Sequence, residues 1–343
     1  IWIMFKINFI RGVMMNNRYN GFDFIRKYIN KNGDKYKFKG ETVKDFQKWK
    51  EAVIPRLKKG LGFENFPKSK LSFRKIEQKE YKEYILEKVK ISTMPSLEMP
   101  FYIMTPKKSN GKNIIALHGH GCNGKEGLIS SEKNEDMVYS YALDLMKMGY
   151  TVYIPDLLGS GERRLGVYDD VQKSDCDELN FALISLGMSL QGVIVYELMC
   201  LVDYIEKEDS VKKLGVVGFS GGGFSGLWLG ILDERVKYIV SSCYFHSFKD
   251  TLLFTNKCGC NFIPKLWNRV DMGDMAALLA PRPLYIEVGK EDSLNGDRGI
   301  IGVREQIERA KNVYKLFDKD IEYKECEGQH QWFGSCYDWI NKL

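Results

Sequence analysis

The chain has 343 residues, 44% of them apolar and 28% charged, which supplies ample surface for a buried core and excludes a disordered, collagen-like or miniature protein. Its eight cysteines are too scattered for a disulfide framework or for paired CxxC zinc motifs, so a reducing cytoplasm is the expected location. The net charge of +6 is uneven, with 26 Lys and Arg against 11 Asp and Glu in residues 1–112 and 25 against 34 in the rest; because the lysines are dispersed among glutamates, this suits a solvated basic arm on an acidic body better than a nucleic-acid binder.

In chain order, residues 1–15 look only faintly like a targeting segment. Lys6, Asn8 and Arg11 interrupt the apolar run and no small-residue cleavage site follows, so secretion is not expected. Ile1 stands where a start methionine is usual, and Met4, Met14 and Met15 are the nearby candidates. No stretch reaches the roughly 18 apolar residues of a membrane helix, so no membrane partner is expected. From Val43, apolar residues recur at Phe46, Trp49, Val53 and Leu57, one face of a helix, with Thr42 as N-cap and Asp45 as its N3 carboxylate. After turn-rich residues 60–69, three runs (71–76, 84–91 and 97–104) read as antiparallel strands. Beyond Gly111, apolar strands at 113–117, 150–154, 214–219, 236–241, 284–288 and 321–325 alternate with helical segments at 137–148, 189–205 and 303–317. That alternation predicts a mostly parallel α/β sheet with helices on both faces. Residues 243–275 are rich in aromatics, lack a clear period and are too long for a simple connection, so they are expected to form a lid insertion. The predicted organisation is a basic helical arm over residues 1–66 followed by a catalytic α/β domain over 67–343.

The strongest chemical signal is Gly218-Phe219-Ser220-Gly221-Gly222, a GxSxG between a strand and a Gly-rich helix. A serine there occupies a sharp turn, and flanking glycines are needed because a Cβ would collide with neighbouring backbone. The turn presents Ser220 as a nucleophile. A base is then required, and the chain has four histidines: His118, His120, His246 and His330. His330 follows the last predicted strand, where a loop can lift its ring over Ser220. The orienting acid belongs after the preceding strand, which makes Asp292 the candidate and Glu291 its alternate. The order Ser, Asp, His follows. An oxyanion needs amide donors; Gly221 supplies one, and the loop His118-Gly119-His120-Gly121 the other, from His120 or else Gly121 or Cys122. Phe219, Phe245 and Trp267 are the expected aromatic walls of a short acyl pocket.

With these motifs the sequence resembles the α/β-hydrolases. The HGHG after a strand, Pro155-Asp156-Leu157-Leu158-Gly159-Ser160-Gly161-Glu162-Arg163, the GFSGGG elbow, Ala280-Pro281-Arg282-Pro283 and the late Gly-x-His are similar to the dienelactone-hydrolase-like and acetyl-xylan-esterase-like branch, from about Glu98 onward. The resemblance implies the α/β-hydrolase fold, a triad of Ser220, Asp292 and His330, and esterase activity without a cofactor. Dienelactone hydrolases proper use a cysteine nucleophile, so Ser220 points to the esterase members.

Rival readings are weaker. Gly119 to Lys125 nearly spells a P-loop, with Asp156 as its acidic magnesium partner, but the eighth position is Glu126 where a metal-binding Ser or Thr belongs. His118, His120 and Cys122 alternate as HxHxC, yet no second cluster completes a tetrahedral metal site, and Cys258-Gly259-Cys260 reads as irregular lid, since redox pairs are spaced CxxC. Asp156, Arg163 and Arg164 read as turn-stabilising ion pairs. A non-catalytic binding module on the same fold is opposed by the presence of all three triad residues in the expected places. The expected partner is a small ester, with a homo-oligomer compatible with the sequence.

Overall fold

A computed structural model describes residues 21–120, 123–130, 139–166, 175–208, 213–252 and 257–343. The faint targeting segment, Gly121 and Cys122 lie outside the described residues.

Nine strands form one sheet among the described residues, in the order β1-β2-β3-β5-β4-β6-β7-β8-β9. The first three are β1 (Ser72–Glu80), β2 (Tyr84–Met94) and β3 (Leu97–Pro106). They pair antiparallel, and β3 pairs antiparallel with β5. The others, β4 (Asn113–Leu117), β5 (Thr151–Pro155), β6 (Leu214–Phe219), β7 (Val236–Ser242), β8 (Leu284–Gly289) and β9 (Glu322–Cys326), pair parallel. β4, β5 and β6 are buried along their whole length, as expected of strands covered on both faces. Edge strand β1 is exposed at all but one position, and its Lys and Glu residues discourage pairing with another chain.

The helices are α1 (Gly21–Asn32), α2 (Val43–Leu61), α3 (Tyr141–Lys147), α4 (Cys176–Ser185), α5 (Leu190–Glu208), α6 (Gly221–Leu232), α7 (Phe248–Thr251), α8 (Met272–Ala277), α9 (Ile300–Tyr314) and α10 (Tyr337–Asn341). Strand alternation sorts the core into two layers. Ile115, Leu117, Val216 and Ile239 join α5, α6, α8 and α9 on one face, while Ile114, Ala116, Val217 and Val240 join α3 and α10 on the other.

Helix α2 opens with the expected capping box. Asp45 N–H donates to Thr42 Oγ1 (3.1 Å) and Thr42 N–H to Asp45 Oδ2 (3.2 Å). Its apolar stripe, Phe46, Val53, Leu57 and Leu61, is buried in the larger core layer. The basic segment also meets the rest through ion pairs, Lys50–Glu234 (2.8 Å) and Asp34–Arg309 (3.0 Å) among them. Residues 243–275 contain α7, a 3-10 turn at Gly259–Asn261 and the start of α8. Residues 253–256 lie outside the described residues.

Candidate functional site

The site forms at the C-terminal ends of the parallel strands. Ser220 joins β6 to α6 at φ 54° and ψ −122°, a backbone state a side chain tolerates only when its surroundings enforce it. They do. A Cβ on Gly218 would lie 2.3 Å from the Gly222 carbonyl oxygen, and one on Gly222 would lie 2.0 Å from that of Leu117. Both glycines of the motif are thus fixed by close backbone approach, and Ser220 N–H is tied to the Ser242 carbonyl (2.8 Å).

His330 and Asp292 come from the loops after β9 and β8, which are laced together. Lys290 N–H donates to the Cys326 carbonyl (2.9 Å) and Glu291 N–H to that of Gly328 (3.0 Å), while a Cβ on Gly289 would meet the Gln329 carbonyl oxygen at 2.2 Å. Asp292 is buried and Glu291 exposed. Asp292 Oδ1 accepts the Leu294 N–H (2.8 Å), and Oδ2 accepts from His330 Nδ1 (2.6 Å). Because the carboxylate can only accept, the Nδ1 proton is fixed there, and Nε2 is left to accept the Ser220 hydroxyl (2.9 Å). A nucleophile, a base and an orienting acid stand in one hydrogen-bonded series.

The β4 loop lies against this turn. A Cβ on Gly119 would be 3.0 Å from Ser220 Cβ, and one on Gly221 would be 2.5 Å from His120 Cε1, so the backbone of residues 119–120 runs beside the nucleophile while the His120 ring is seated on Gly221. Gly221 begins α6, where amides have no intrahelical acceptor. His118 is buried and receives the Leu157 N–H at Nε2 (3.0 Å) while Nδ1–H donates to the Gly119 carbonyl (3.0 Å). Burial pushes its pKa down against the pull of Asp156, so it staples the β4 and β5 loops as a neutral ring. His246 is likewise held neutral by burial, then by the Lys257 charge.

The expected aromatic walls separate. The Phe219 ring lies 5.0 Å from that of His330 and 4.4 Å from that of Tyr139. Phe245 is wholly buried in the larger core layer. Trp267 accepts the Asp34 N–H on its carbonyl (3.4 Å) and lines a crevice with Ile29 and Phe248, which places it against the N-terminal segment.

Two rival readings are corrected. Lys125, which stood for the P-loop lysine, is fully buried with its ammonium on Asp156 (2.7 Å) and on Glu162, unavailable to a phosphate. Asp156 also accepts the Lys125 and Glu162 amides (2.7 and 3.1 Å), and Arg163 makes a two-pronged pair with Glu197 (2.7 and 2.8 Å). These side chains build the floor under the β4 and β5 loops. The view that no second cluster could complete a metal site also fails. Cys176, Cys258 and Cys260 gather around His120, with all four ligand atoms within 4.8 Å of one another.

Comparison with known proteins agrees with this architecture. The Abhydrolase family profile matches residues 15–311. Putative hydrolase YtaP of Bacillus subtilis (strain 168) is 26% identical over 242 residues, covering 68% of this chain and 78% of YtaP. Among solved structures, a putative acetyl xylan esterase from Bacteroides fragilis NCTC 9343 superposes with a TM-score of 0.76 at 19% identity, over 92% of this chain and 84% of that one. A glucuronoyl esterase from Solibacter usitatus superposes with a TM-score of 0.62 at 14% identity, over 88% of this chain and 92% of that one. The chain belongs to the Abhydrolase family and has the α/β-hydrolase fold.

Proposed function

We propose that the protein is a serine hydrolase that cleaves small carboxylic esters, acetylated sugars in particular, through an acyl-enzyme. The observation that carries this reading is the unbroken series from Asp292 through His330 to Ser220 Oγ. In it, His330 Nε2 takes the hydroxyl proton as Ser220 attacks the ester carbonyl, and Asp292 holds the ring and stabilises its protonated form. The amides of Gly221 and His120 are the donors assigned to the oxyanion. The imidazolium returns its proton to the departing alkoxide. Water, deprotonated by the same base, then releases the acid. The chemistry calls for no cofactor.

The substrate class rests on two supports. Ser220 is only 9% exposed and carries the His330 ring on its hydroxyl, with the Phe219 ring 5.0 Å from that of His330, which favours a short acyl group over a long chain. The similar structure from Bacteroides fragilis is described as an acetyl xylan esterase, which favours a sugar alcohol. The test is turnover of p-nitrophenyl esters of increasing acyl length. Acetyl should exceed octanoyl in kcat/KM by at least about tenfold, about 1.4 kcal/mol in transition-state binding. Ser220→Ala should remove turnover of every ester. Efficiency that is flat or rises with chain length would refute the short pocket.

A further inference from the structure

The base and nucleophile leave one group of reactive side chains unexplained. His120 follows β4 and lays its ring on Gly221; Cys176 opens α4; Cys258 caps a single turn of 3-10 helix, Gly259–Asn261, that contains Cys260. Three segments far apart in sequence thus converge, His120 and Cys260 being 140 residues apart. Cys260 Sγ lies 3.3 Å from His120 Nε2, Cys258 Sγ 3.6 Å from it, and the two sulfurs 3.2 Å from each other.

We propose that His120, Cys176, Cys258 and Cys260 bind one zinc-class divalent ion through three thiolates and one imidazole, a site that clamps the oxyanion loop to α4 and to the 258–260 turn. Zinc bonds of about 2.3 Å to sulfur and about 2.0 Å to nitrogen in a tetrahedron place sulfurs about 3.8 Å apart and sulfur about 3.5 Å from nitrogen. The observed separations need only small adjustment to reach those values. Cys176 and Cys260 are buried, and four protein ligands close the shell, the pattern of a structural centre. Thiolates and imidazole select zinc over the hard ions magnesium and calcium.

The surroundings are built for thiolates. Asn261 Nδ2 is directed at both Cys258 Sγ (3.3 Å) and Cys260 Sγ (3.6 Å) and at the Cys258 carbonyl (3.0 Å). The buried Tyr244 hydroxyl donates to Asn261 Oδ1, fixing the direction of that amide. Gly259 N–H is held by Asp177 of α4, and a Cβ at Gly259 would meet the Cys176 carbonyl oxygen at 2.9 Å. Outer donors that orient and neutralise sulfur ligands are the usual support of such centres. A disulfide would employ two of the sulfurs and leave the third, and His120, without a role.

The test is metal analysis of the full chain, stripped with a strong chelator under reducing conditions and titrated with zinc alone in competition with a colorimetric chelator. About one equivalent should bind, and cobalt should bind in its place with intense thiolate-to-metal charge-transfer absorption. Cys260→Ser and Cys176→Ser should each remove that absorption, while Cys326→Ser, remote from the cluster, should keep it. Binding below about a tenth of an equivalent by the folded wild-type chain, or a disulfide between any two of Cys176, Cys258 and Cys260 in the native protein, would overturn the proposal. These readouts do not involve ester turnover, so this inference and the proposed activity fail separately.

Discussion

At Ser220 the unusual backbone costs on the order of 1–3 kcal/mol, and the close approaches at Gly218 and Gly222 hold it there. The acid is set by the same logic of local backbone. Asp292 and Glu291 are neighbours, and the sequence favoured Asp292 with Glu291 as its alternate. The structure separates them because Asp292 caps the next turn and is buried against His330, whereas Glu291 is exposed. Asp292→Asn should therefore lower kcat by about four orders of magnitude through loss of the correct imidazole tautomer, with Glu291→Gln within about twofold of the parent. If Glu291→Gln proves the damaging change in steady-state kinetics, the assignment is displaced by one residue. Cys243 lies near the same groups with its thiol on the Gln331 carbonyl (3.1 Å), and burial, then the Asp292 charge, pushes its pKa up to about 12. A thiol so raised stays protonated at pH 8, so iodoacetamide should label Cys243 only after denaturation, as peptide mass mapping would show. The cluster around His120 was illegible because no local spacing announces ligands contributed by three distant segments.

The elements that carry these residues were largely readable. The parallel strands fall within a residue of their predicted bounds, since the fully buried ones, β4, β5, β6 and β8, are written as short apolar runs. Residues 243–275 gave no period because their described helices are α7, of four residues, and the start of the six-residue α8, too short to repeat a face. Helix α10 has five residues and was missed for the same reason. The turn after β5 depends on pairings the sequence could suggest only in kind. Arg163 and Glu197 are both buried, with side chains 5% and 1% exposed, and Thr93 also donates to that carboxylate (2.9 Å). Arg163→Ala would strand Glu197 without its partner and should cost about 3–5 kcal/mol in chemical denaturation. A loss under about 1 kcal/mol would show that water or repacking compensates the carboxylate.

For the whole molecule, the electrical division is not a division of bodies. The basic first third supplies α1, α2 and strands β1 to β3, and its apolar residues Phe46, Val53, Leu57 and Leu61 belong to the larger core layer. Phe46 meets Phe317 edge to face at 5.2 Å. Leu57→Ala should cost about 2–5 kcal/mol, and deleting residues 1–66 should give aggregated protein because it bares the surface these residues cover. A soluble, fully active truncate would show the segment to be separable. Every step of the proposed chemistry depends on Ser220 Oγ as the attacking atom. Treating the native protein with a fluorophosphonate and mapping the adduct by mass spectrometry tests it most directly: one phosphonyl group on Ser220, absent in Ser220→Ala and in denatured protein, is the predicted result, and an unlabelled Ser220 or labelling that survives the substitution would contradict it.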